Sequence, residues 1–323
     1  MEKPVIRISV RNLVEFILRN GDLESGGTAG DKEAMLKGSR LHRKIQKQMG
    51  SHYQAEVSLK KDTEYEDLIL RVEGRADGIF TQNEKICIDE IKGVYKNLEL
   101  LAEPVLVHRA QALCYAWIYL DDHGLEEIDV QMTYVHLDTE MIKRFRETMT
   151  REELESWYQR LLDSYHKWLS YQMKWREERN RSMEKLEFPF TYRKGQKEMV
   201  AGIYHAISRK EQIFIQAPTG VGKTMSAVFP AVRSIGEGKA ETLFYLTART
   251  ITRTVAQDAF EILRKNGLLF KTVTITAKEK LCFCEKPECN PETCPYAKGH
   301  YDRINDAVYE LWTKEEAFDR ETI

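Results

Sequence analysis

The sequence lacks long apolar runs and an excess of charge of either sign. No stretch approaches the ~18 to 20 apolar residues of a membrane span, and no signal peptide follows Met1-Glu2-Lys3-Pro4. We therefore expect a cytoplasmic protein that does not contact membranes. The 49 Lys and Arg residues are balanced by 51 Asp and Glu residues, for a net charge of −2. Any contact with nucleic acid must then be made by local groups, since no global basic field is present.

Cysteine is scarce over most of the chain. There are six cysteines, and four of them fall between residues 282 and 294. This distribution does not fit a secreted disulfide framework. The length of 323 residues exceeds one typical domain and suffices to bury two separate cores, so we expect two domains.

A glycine-bearing turn follows the apolar residues 213–215 and precedes helix-forming sequence. The turn reads Gln216-Ala217-Pro218-Thr219-Gly220-Val221-Gly222-Lys223-Thr224. Strand, turn, Lys-Thr and helix is the layout of a phosphate-binding loop, in which backbone N–H groups and a helix N-terminus wrap the phosphates. Lys223 would reach the β- and γ-phosphates of ATP, and Thr224 would hold Mg²⁺. Ala217 stands where the usual pattern has glycine, so its backbone needs a negative φ.

The form Ala-Pro-Thr-Gly-x-Gly-Lys-Thr resembles the superfamily 2 helicases. Upstream, an aromatic residue followed by Arg193-x-x-Gln196 resembles the helicase Q-motif, which implies that the Gln196 amide reads adenine. Residues 242–246 and 271–277 are predicted as buried strands. Arg249 follows the first of these at its carboxyl end, where α/β sheets place ligand-binding residues, and is a candidate contact to DNA phosphate.

The first 150 residues contain a predicted hairpin with a polar cluster. Strands are predicted over residues 53–59 and 68–80, and another over 86–92. If the chain turns between Asn83 and Glu84, Asp77 lies opposite Glu90, and Lys92 shares a face with Glu90 because strand side chains repeat every two residues. Such a cluster could equally be the solvated face of an antiparallel sheet.

The order of these parts resembles the RecB-like branch of the PD-(D/E)XK nucleases. His42 lies in the apolar stripe of a predicted helix over residues 31–49, where a core histidine is the alternative. Then come Gly74-x-x-Asp77, Glu90-x-Lys92 and Gln111-x-x-x-Tyr115. The resemblance implies that His42, Asp77, Glu90 and the Ile91 carbonyl bind Mg²⁺ or Mn²⁺. It also implies that Asp77, Glu90 and Lys92 are catalytic, with Lys92 orienting the nucleophile.

By the same resemblance, Gln111 and Tyr115 would touch DNA, with core packing as the alternative for this pair. Glu56 is the weaker site candidate, because it points away from the apolar side of its strand. Cys87 and Cys114 are interpreted as ordinary buried cysteines.

The four crowded cysteines predict a metal site. They are Cys282, Cys284, Cys289 and Cys294, and their spacing lacks the paired Cys-x-x-Cys of common zinc folds, although zinc remains an alternative. Lys280-Leu281-Cys282 after the predicted third strand resembles the XPD/DinG-type helicases, which implies a [4Fe–4S] cluster. One of the four cysteines could be a bystander.

We thus expect an α/β chain: a PD-(D/E)XK fold with a mixed sheet flanked by helices over residues 1–150, a helical connector over 151–187, and a partial RecA-like domain over 188–323. The cysteine insertion would occupy about residues 278–323. The expected function is an ATP-dependent DNA helicase with a nuclease domain, acting on single-stranded or forked DNA. Alternatives are a stand-alone nuclease or a DNA-binding clamp with an inert phosphate loop. Because no Asp-Glu-x-His box follows the cysteines, we expect the chain to stop before the Walker B box and not to turn ATP over.

Overall fold

The computed structural model describes residues 3–24, 32–248, 250–285 and 287–322. The chain divides into two compact units. Unit 1 comprises Met1–Trp168 and Cys282–Tyr309, and unit 2 comprises Leu169–Leu281 and Glu310–Ile323. None of the helices in the described ranges combines the length and apolarity that crossing a bilayer requires.

A six-stranded mixed sheet forms the centre of unit 1. Its strands are β1 (Val5–Ser9), β2 (Gln54–Glu64), β3 (Ile69–Gln82), β4 (Lys85–Val94), β5 (Glu127–His136) and β6 (Ile142–Thr150). One edge of β3 pairs antiparallel with β2. The other edge pairs in parallel with β1 over residues 69–73 and antiparallel with β4 over residues 78–82. β5 then pairs in parallel with β4 and antiparallel with β6.

Two of the helices of unit 1 begin at capping side chains. The helices of this unit are α1 (Val10–Leu18), α2 (Lys32–Gln48), α3 (Leu106–Asp122) and the first part of α4 (Arg151–Glu184), with a 3₁₀ turn at Leu98–Leu100. The Ser9 side chain accepts a hydrogen bond from the Asn12 amide and caps α1. At the start of α4, the Thr150 and Glu153 side chains each accept a hydrogen bond from the other residue's backbone amide, which forms a capping box.

The core of unit 1 lies between α3 and the sheet. Helix α3 packs on β4 and β5, so its sequence is apolar on most sides. Fully buried side chains from these elements include Leu70, Val72, Ile88, Leu113, Ile118, Ile128 and Met132. Burial of each such side chain stabilises the fold by about 1.5–3 kcal/mol, which fixes the sheet that carries the polar cluster.

The β3–β4 hairpin turns where the sequence predicts. Pairing of Gln82 with Lys85 leaves Asn83 and Glu84 as a two-residue loop. Both loop residues have positive φ, 52° and 66° respectively, as a type I′ hairpin turn requires. The same register, continued by one pair beyond Gly78 and Asp89, places Asp77 opposite Glu90.

The cysteine segment is grouped with unit 1. The Tyr301 amide donates to the Gly21 carbonyl and the Leu23 amide to the Ala297 carbonyl, each at 2.9 Å. The guanidinium of Arg19 lies 3.7 Å from the centre of the Tyr301 ring. These contacts tie residues 297–301 to the end of α1. The domain boundaries proposed from the sequence stay a prediction.

Helices dominate unit 2. They are the end of α4, then α5 (Gln196–Arg209), α6 (Lys223–Gly236), α7 (Thr250–Lys265), α8 (Lys278–Leu281) and the last turn of α9 (His300–Lys314), with a two-stranded sheet of β7 (Thr272–Val273) and β8 (Ala317–Phe318). The buried core joins α6 and α7 to the end of α4 and includes Met183, Val228, Val232, Phe260 and Leu263.

The predicted strands of unit 2 are wrong over most of their length. Residues 213–215 and 242–246 form no strand in the described part of the chain, and Phe214 and Leu246 are 93% and 87% exposed. The strand predicted over residues 271–277 is reduced to β7. The physical reason is that a strand exists only through hydrogen bonds to a neighbour, and an apolar run specifies no partner.

Candidate functional site

The two central strands of unit 1 separate at Asp77. The last β3–β4 pair is Gly78 with Asp89, and beyond it β4 continues with β5 alone. The Ile91 amide, which has no β3 partner there, donates a 2.7 Å hydrogen bond to Asp77 Oδ2. The structure brings the Ile91 amide to Asp77. Metal ligation by the Ile91 carbonyl, which the family resemblance implies, stays a prediction.

Helix α2 places His42 against the opening between β3 and β4, which begins where their pairing ends at Gly78 and Asp89. Its Nε2 lies 2.9 Å from Asp77 Oδ2 and its Nδ1 lies 3.8 Å from Glu56 Oε1. Burial disfavours the charged ring, but the hydrogen bond and charge of Asp77 outweigh it and raise the pKa of His42. One ligand atom each from His42, Glu56 and Asp77 lies within 4.8 Å of the others, so the trio could hold a metal ion.

Glu90 is buried in the same opening and only half satisfied. Its side chain is 5% exposed, and Oε1 lies 2.8 Å from Lys92 Nζ. Oε2 has no hydrogen-bond partner among the described residues. Burial, followed by the charge of Asp77, raises the pKa of Glu90 to about 7. A divalent cation would satisfy the orphaned oxygen and favour the ionised carboxylate, so the residues present fit a metal.

Gln111 and Tyr115 face inward from α3. Gln111 is buried and its Oε1 accepts a 2.6 Å hydrogen bond from Lys92 Nζ. Tyr115 is also buried and packs on Gly74, where an added Cβ would lie 2.7 Å from the Tyr115 hydroxyl. The Gln111-x-x-x-Tyr115 motif therefore contacts both of the other predicted motifs, through Lys92 and Gly74. A role of this pair in binding DNA stays a prediction, with internal packing as the alternative.

Glu56, the weaker site candidate in the sequence, lies beside His42 and Asp77 in the structure. Its φ is +58°, and the β2–β3 ladder skips the pair of Glu56 with Asp77 while retaining the pairs on either side. A left-handed residue thus interrupts the regular strand pairing at Glu56. The signal available in the sequence was Gln46, one helical turn after His42, because a buried amide there requires polar partners.

Unit 2 places the glycine-bearing turn at the start of α6. Gly220 and Gly222 have φ of 84° and 75°, and Ala217 is not among the residues with positive φ, as predicted. Lys223 Nζ donates to the carbonyls of Ala217 and Pro218, at 3.1 and 2.7 Å. A cleft of about 460 Å³ opens beside the loop, lined among others by Thr219, Gly220, Gly222, Lys223 and Thr224. This geometry suits a phosphate chain.

Gln196 contacts the loop directly. Its Nε2 donates to the Val221 carbonyl at 3.0 Å, and its Oε1 accepts from the Arg193 amide at 2.9 Å. The Arg193 guanidinium donates to the Gly220 carbonyl. Both polar atoms of the Gln196 amide thus hold backbone, and contact with adenine stays a prediction. Arg249, the predicted phosphate contact, lies outside the described residues.

The cysteines approach one another in part. Cys284 Sγ lies 3.9 Å from Cys294 Sγ, and this neighbour raises the pKa of Cys284 to about 11. Two thiolates on one tetrahedral zinc ion are separated by roughly 3.8 Å, given Zn–S bonds of about 2.3 Å. No three cysteine sulfurs within the described ranges lie within 4.8 Å of one another.

One family model matches part of the chain. Residues 193–288 match the DEAD/DEAH box helicase family. The matched segment contains Gln196, the phosphate loop and the first two of the four crowded cysteines. The match supports a helicase-type function, and this family consists of ATP-hydrolysing enzymes that use Mg²⁺ and bind nucleic acid.

The other comparisons add little. No curated protein matches the chain. A solved structure entitled "Crystal structure of SSO0001" is similar at 18% identity and a TM-score of 0.34, covering 48% of this chain and 75% of that chain. A likeness of that degree assigns neither fold nor function.

Proposed function

We propose that unit 2 supplies the ATP-binding part of an ATP-dependent DNA helicase of the XPD/DinG-like type, and that unit 1 carries a metal-dependent nuclease of the RecB-like PD-(D/E)XK class. Single-stranded or forked DNA is the substrate. The nuclease proposal rests on the opening between β3 and β4, which is lined by Asp77, Glu90 and Lys92. The buried Oε2 of Glu90 there has no hydrogen-bond partner among the described residues.

The side chains of the opening divide the chemistry of phosphodiester hydrolysis. Asp77, Glu90 and His42 would hold Mg²⁺ or Mn²⁺, which lowers the pKa of water and offsets the phosphate charge. Lys92 would orient the attacking water through its ammonium group. Gln111 supports this role, because its bond to Lys92 Nζ fixes the direction of the amine.

The test of the nuclease is cleavage of labelled single-stranded DNA with Mg²⁺ or Mn²⁺. We expect cutting that EDTA abolishes and that Asp77→Ala and Lys92→Ala each reduce by about 100-fold or more. Lys85→Ala is the matched control, since Lys85 begins the same strand at the distant turn and pairs with Glu127. If wild-type protein binds DNA but never cuts it with any divalent metal, unit 1 is a DNA-binding clamp.

For the motor, we propose that Lys223 and Thr224 bind the phosphates of ATP and Mg²⁺, that the Gln196 amide binds adenine, and that Arg249 contacts DNA phosphate. Support comes from the family match over these positions and from the cleft beside the loop. When ATP binds, the Lys223 ammonium group would donate to phosphate oxygens in place of the two backbone carbonyls that it contacts in this structure.

The four cysteines are proposed to bind a [4Fe–4S] cluster, and the 3.9 Å approach of Cys284 to Cys294 favours zinc as the second candidate. Anaerobically purified protein should contain iron and sulfide and absorb near ~400 nm, and Cys282→Ser should remove both signals. Cys114→Ala, at a buried position on α3, is the control and should keep them. Stoichiometric zinc without iron would rule the cluster out.

A further inference from the structure

The two ring nitrogens of His42 face two different carboxylates. We infer that Glu56 is a positioning residue: it accepts the Nδ1 proton of His42, so that an unprotonated Nε2 is presented to a divalent cation shared with Asp77. This inference rests on the proposed metal-dependent function of unit 1. It assigns a role to a residue that the order of motifs in the sequence did not include.

The chemistry of imidazole makes the partner of Nδ1 decisive. A neutral ring carries a proton on one nitrogen, and only the other nitrogen can bind a metal. Histidine ligands therefore usually donate their second N–H to a carboxylate or a carbonyl, which fixes both tautomer and ring orientation. Here Nε2 lies 2.9 Å from Asp77 Oδ2, and Nδ1 lies 3.8 Å from Glu56 Oε1. If a cation binds Asp77 and His42 Nε2, the imidazole proton must therefore lie on Nδ1, which faces Glu56.

The backbone at Glu56 is strained in the way this role requires. Its φ of +58° is uncommon for an L residue and lies within a strand, where the ladder to β3 is interrupted at Asp77. The Glu56 carboxylate lies beside His42 and Gln46 of α2, and such strain persists only where neighbouring structure enforces it.

Neighbouring side chains hold the Glu56 carboxylate from two directions. Gln46 Nε2 donates to Glu56 Oε1 at 2.9 Å and also to the Asp77 carbonyl at 2.9 Å. Arg75 Nε pairs with Glu56 Oε2 at 2.6 Å. Because Oε2 is engaged and its charge is balanced by Arg75, Glu56 is better suited to orient His42 than to bind the cation itself. Oε1 still has a lone pair for the imidazole N–H.

Mn²⁺ affinity, measured from the electron paramagnetic resonance of the free ion, separates these roles. Glu56→Gln retains an oxygen that accepts the Nδ1 proton and should bind Mn²⁺ within about threefold of wild type. Glu56→Ala should bind about 10- to 100-fold more weakly. Equal losses in both variants would mean that Glu56 is a direct ligand, and unchanged affinity in Glu56→Ala would exclude any role. Glu64→Ala, at an exposed position on the same strand, is the matched control.

A second readout reports the tautomer of His42 directly. At a Mg²⁺ concentration that saturates the wild type, nitrogen-15 NMR of His42 should show the proton on Nδ1 in wild type and in Glu56→Gln, and a mixture of tautomers in Glu56→Ala; no change there overturns the inference. If Glu56→Ala fails to fold, Glu56→Asn tolerates positive φ and is too short to reach the ring, so the same results are expected of it. Wild-type Mn²⁺ affinity in both His42→Ala and Asp77→Ala would refute the proposed metal site itself. Loss in those two with none in Glu56→Ala would refute only the role of Glu56.

Discussion

Buried titratable residues give unit 1 its response to pH. His108 on α3 lies with Nδ1 3.2 Å from the Tyr134 hydroxyl. Burial, followed by the positive charge of Lys92, lowers the pKa of His108 from 6.5 to about 4. The ring is therefore neutral in the folded protein at a pH where it is largely protonated in the unfolded chain.

This difference predicts a pH-dependent stability with a defined sign. Between about pH 4 and 6.5 the unfolded chain binds more protons at His108, so the free energy of unfolding should rise with pH there, by up to about 1.4 kcal/mol per unit. His108→Gln should remove that contribution. Urea denaturation of both proteins across this range measures the difference. The raised pKa of Glu90 acts with the opposite sign in both proteins and cancels in the comparison. Parallel stability curves would contradict the assignment.

Gly74 is required by a contact rather than by its backbone angles. An added Cβ would lie 2.7 Å from the Tyr115 hydroxyl and 3.0 Å from Tyr115 Cε1. We expect Gly74→Ala to lower the free energy of unfolding by about 1–3 kcal/mol through overpacking, and Tyr115→Leu to relieve much of that loss. Gly38→Ala on α2, with nothing within 4 Å of its Cβ, should instead stabilise by about 0.5–1 kcal/mol. Equal effects at the two glycines in chemical denaturation would disprove this explanation.

Single residues also show where sequence reasoning reaches its limit. The opposition of Asp77 and Glu90 follows from the hairpin register, which local turn chemistry determines. The approach of Glu56 to His42 does not follow from the sequence, because it depends on the packing of α2 and on a positive φ at Glu56. The inward direction of Gln111 was equally open, since spacing gives the face of a helix and not what covers it.

At the scale of elements, the β3–β4 hairpin sets the geometry of the opening. Glu84 occupies the second loop position with a φ of 66°, where glycine is strongly preferred in type I′ turns. Glu84→Gly should therefore raise the free energy of unfolding by about 0.5–1 kcal/mol without altering metal affinity. Glu99→Gly, at an exposed position of ordinary φ, is the control and should not stabilise. Thermal denaturation compares them, and a loss of stability in Glu84→Gly would exclude strain at this turn.

Elements differ in how far their own sequence determines them. Helices α2 and α4 follow the predicted bounds closely, because 3.6-residue periodicity acts within one segment. The strands predicted over residues 213–215 and 242–246 are not formed, since strand formation depends on partners elsewhere in sequence. Strand propensity alone does not supply a pairing partner, and Phe214 and Leu246 are exposed.

At the scale of the whole molecule, the two units should respond to different ligands. Unit 2 exposes apolar side chains such as Phe214 and Ile275, so we expect it to unfold first on heating. Mg²⁺ with ADP at 100 times its dissociation constant should stabilise this transition by about 2.7 kcal/mol, and Lys223→Ala should remove the effect. Lys197→Ala on α5 is the control. Calorimetry measures both transitions, and an equal shift of the two by nucleotide would contradict the assignment of the nucleotide site to unit 2.

The central claim is that the opening between β3 and β4 holds a divalent cation. Anomalous diffraction from crystals soaked in Mn²⁺ tests it most directly. We expect one strong peak in unit 1, at about 2.0–2.3 Å from carboxylate oxygens of Asp77 and Glu90 and close to His42 Nε2, and no such peak in crystals of Glu90→Gln. A map with no peak in this opening, or with the same peak in Glu90→Gln, would show that these carboxylates are not a metal site.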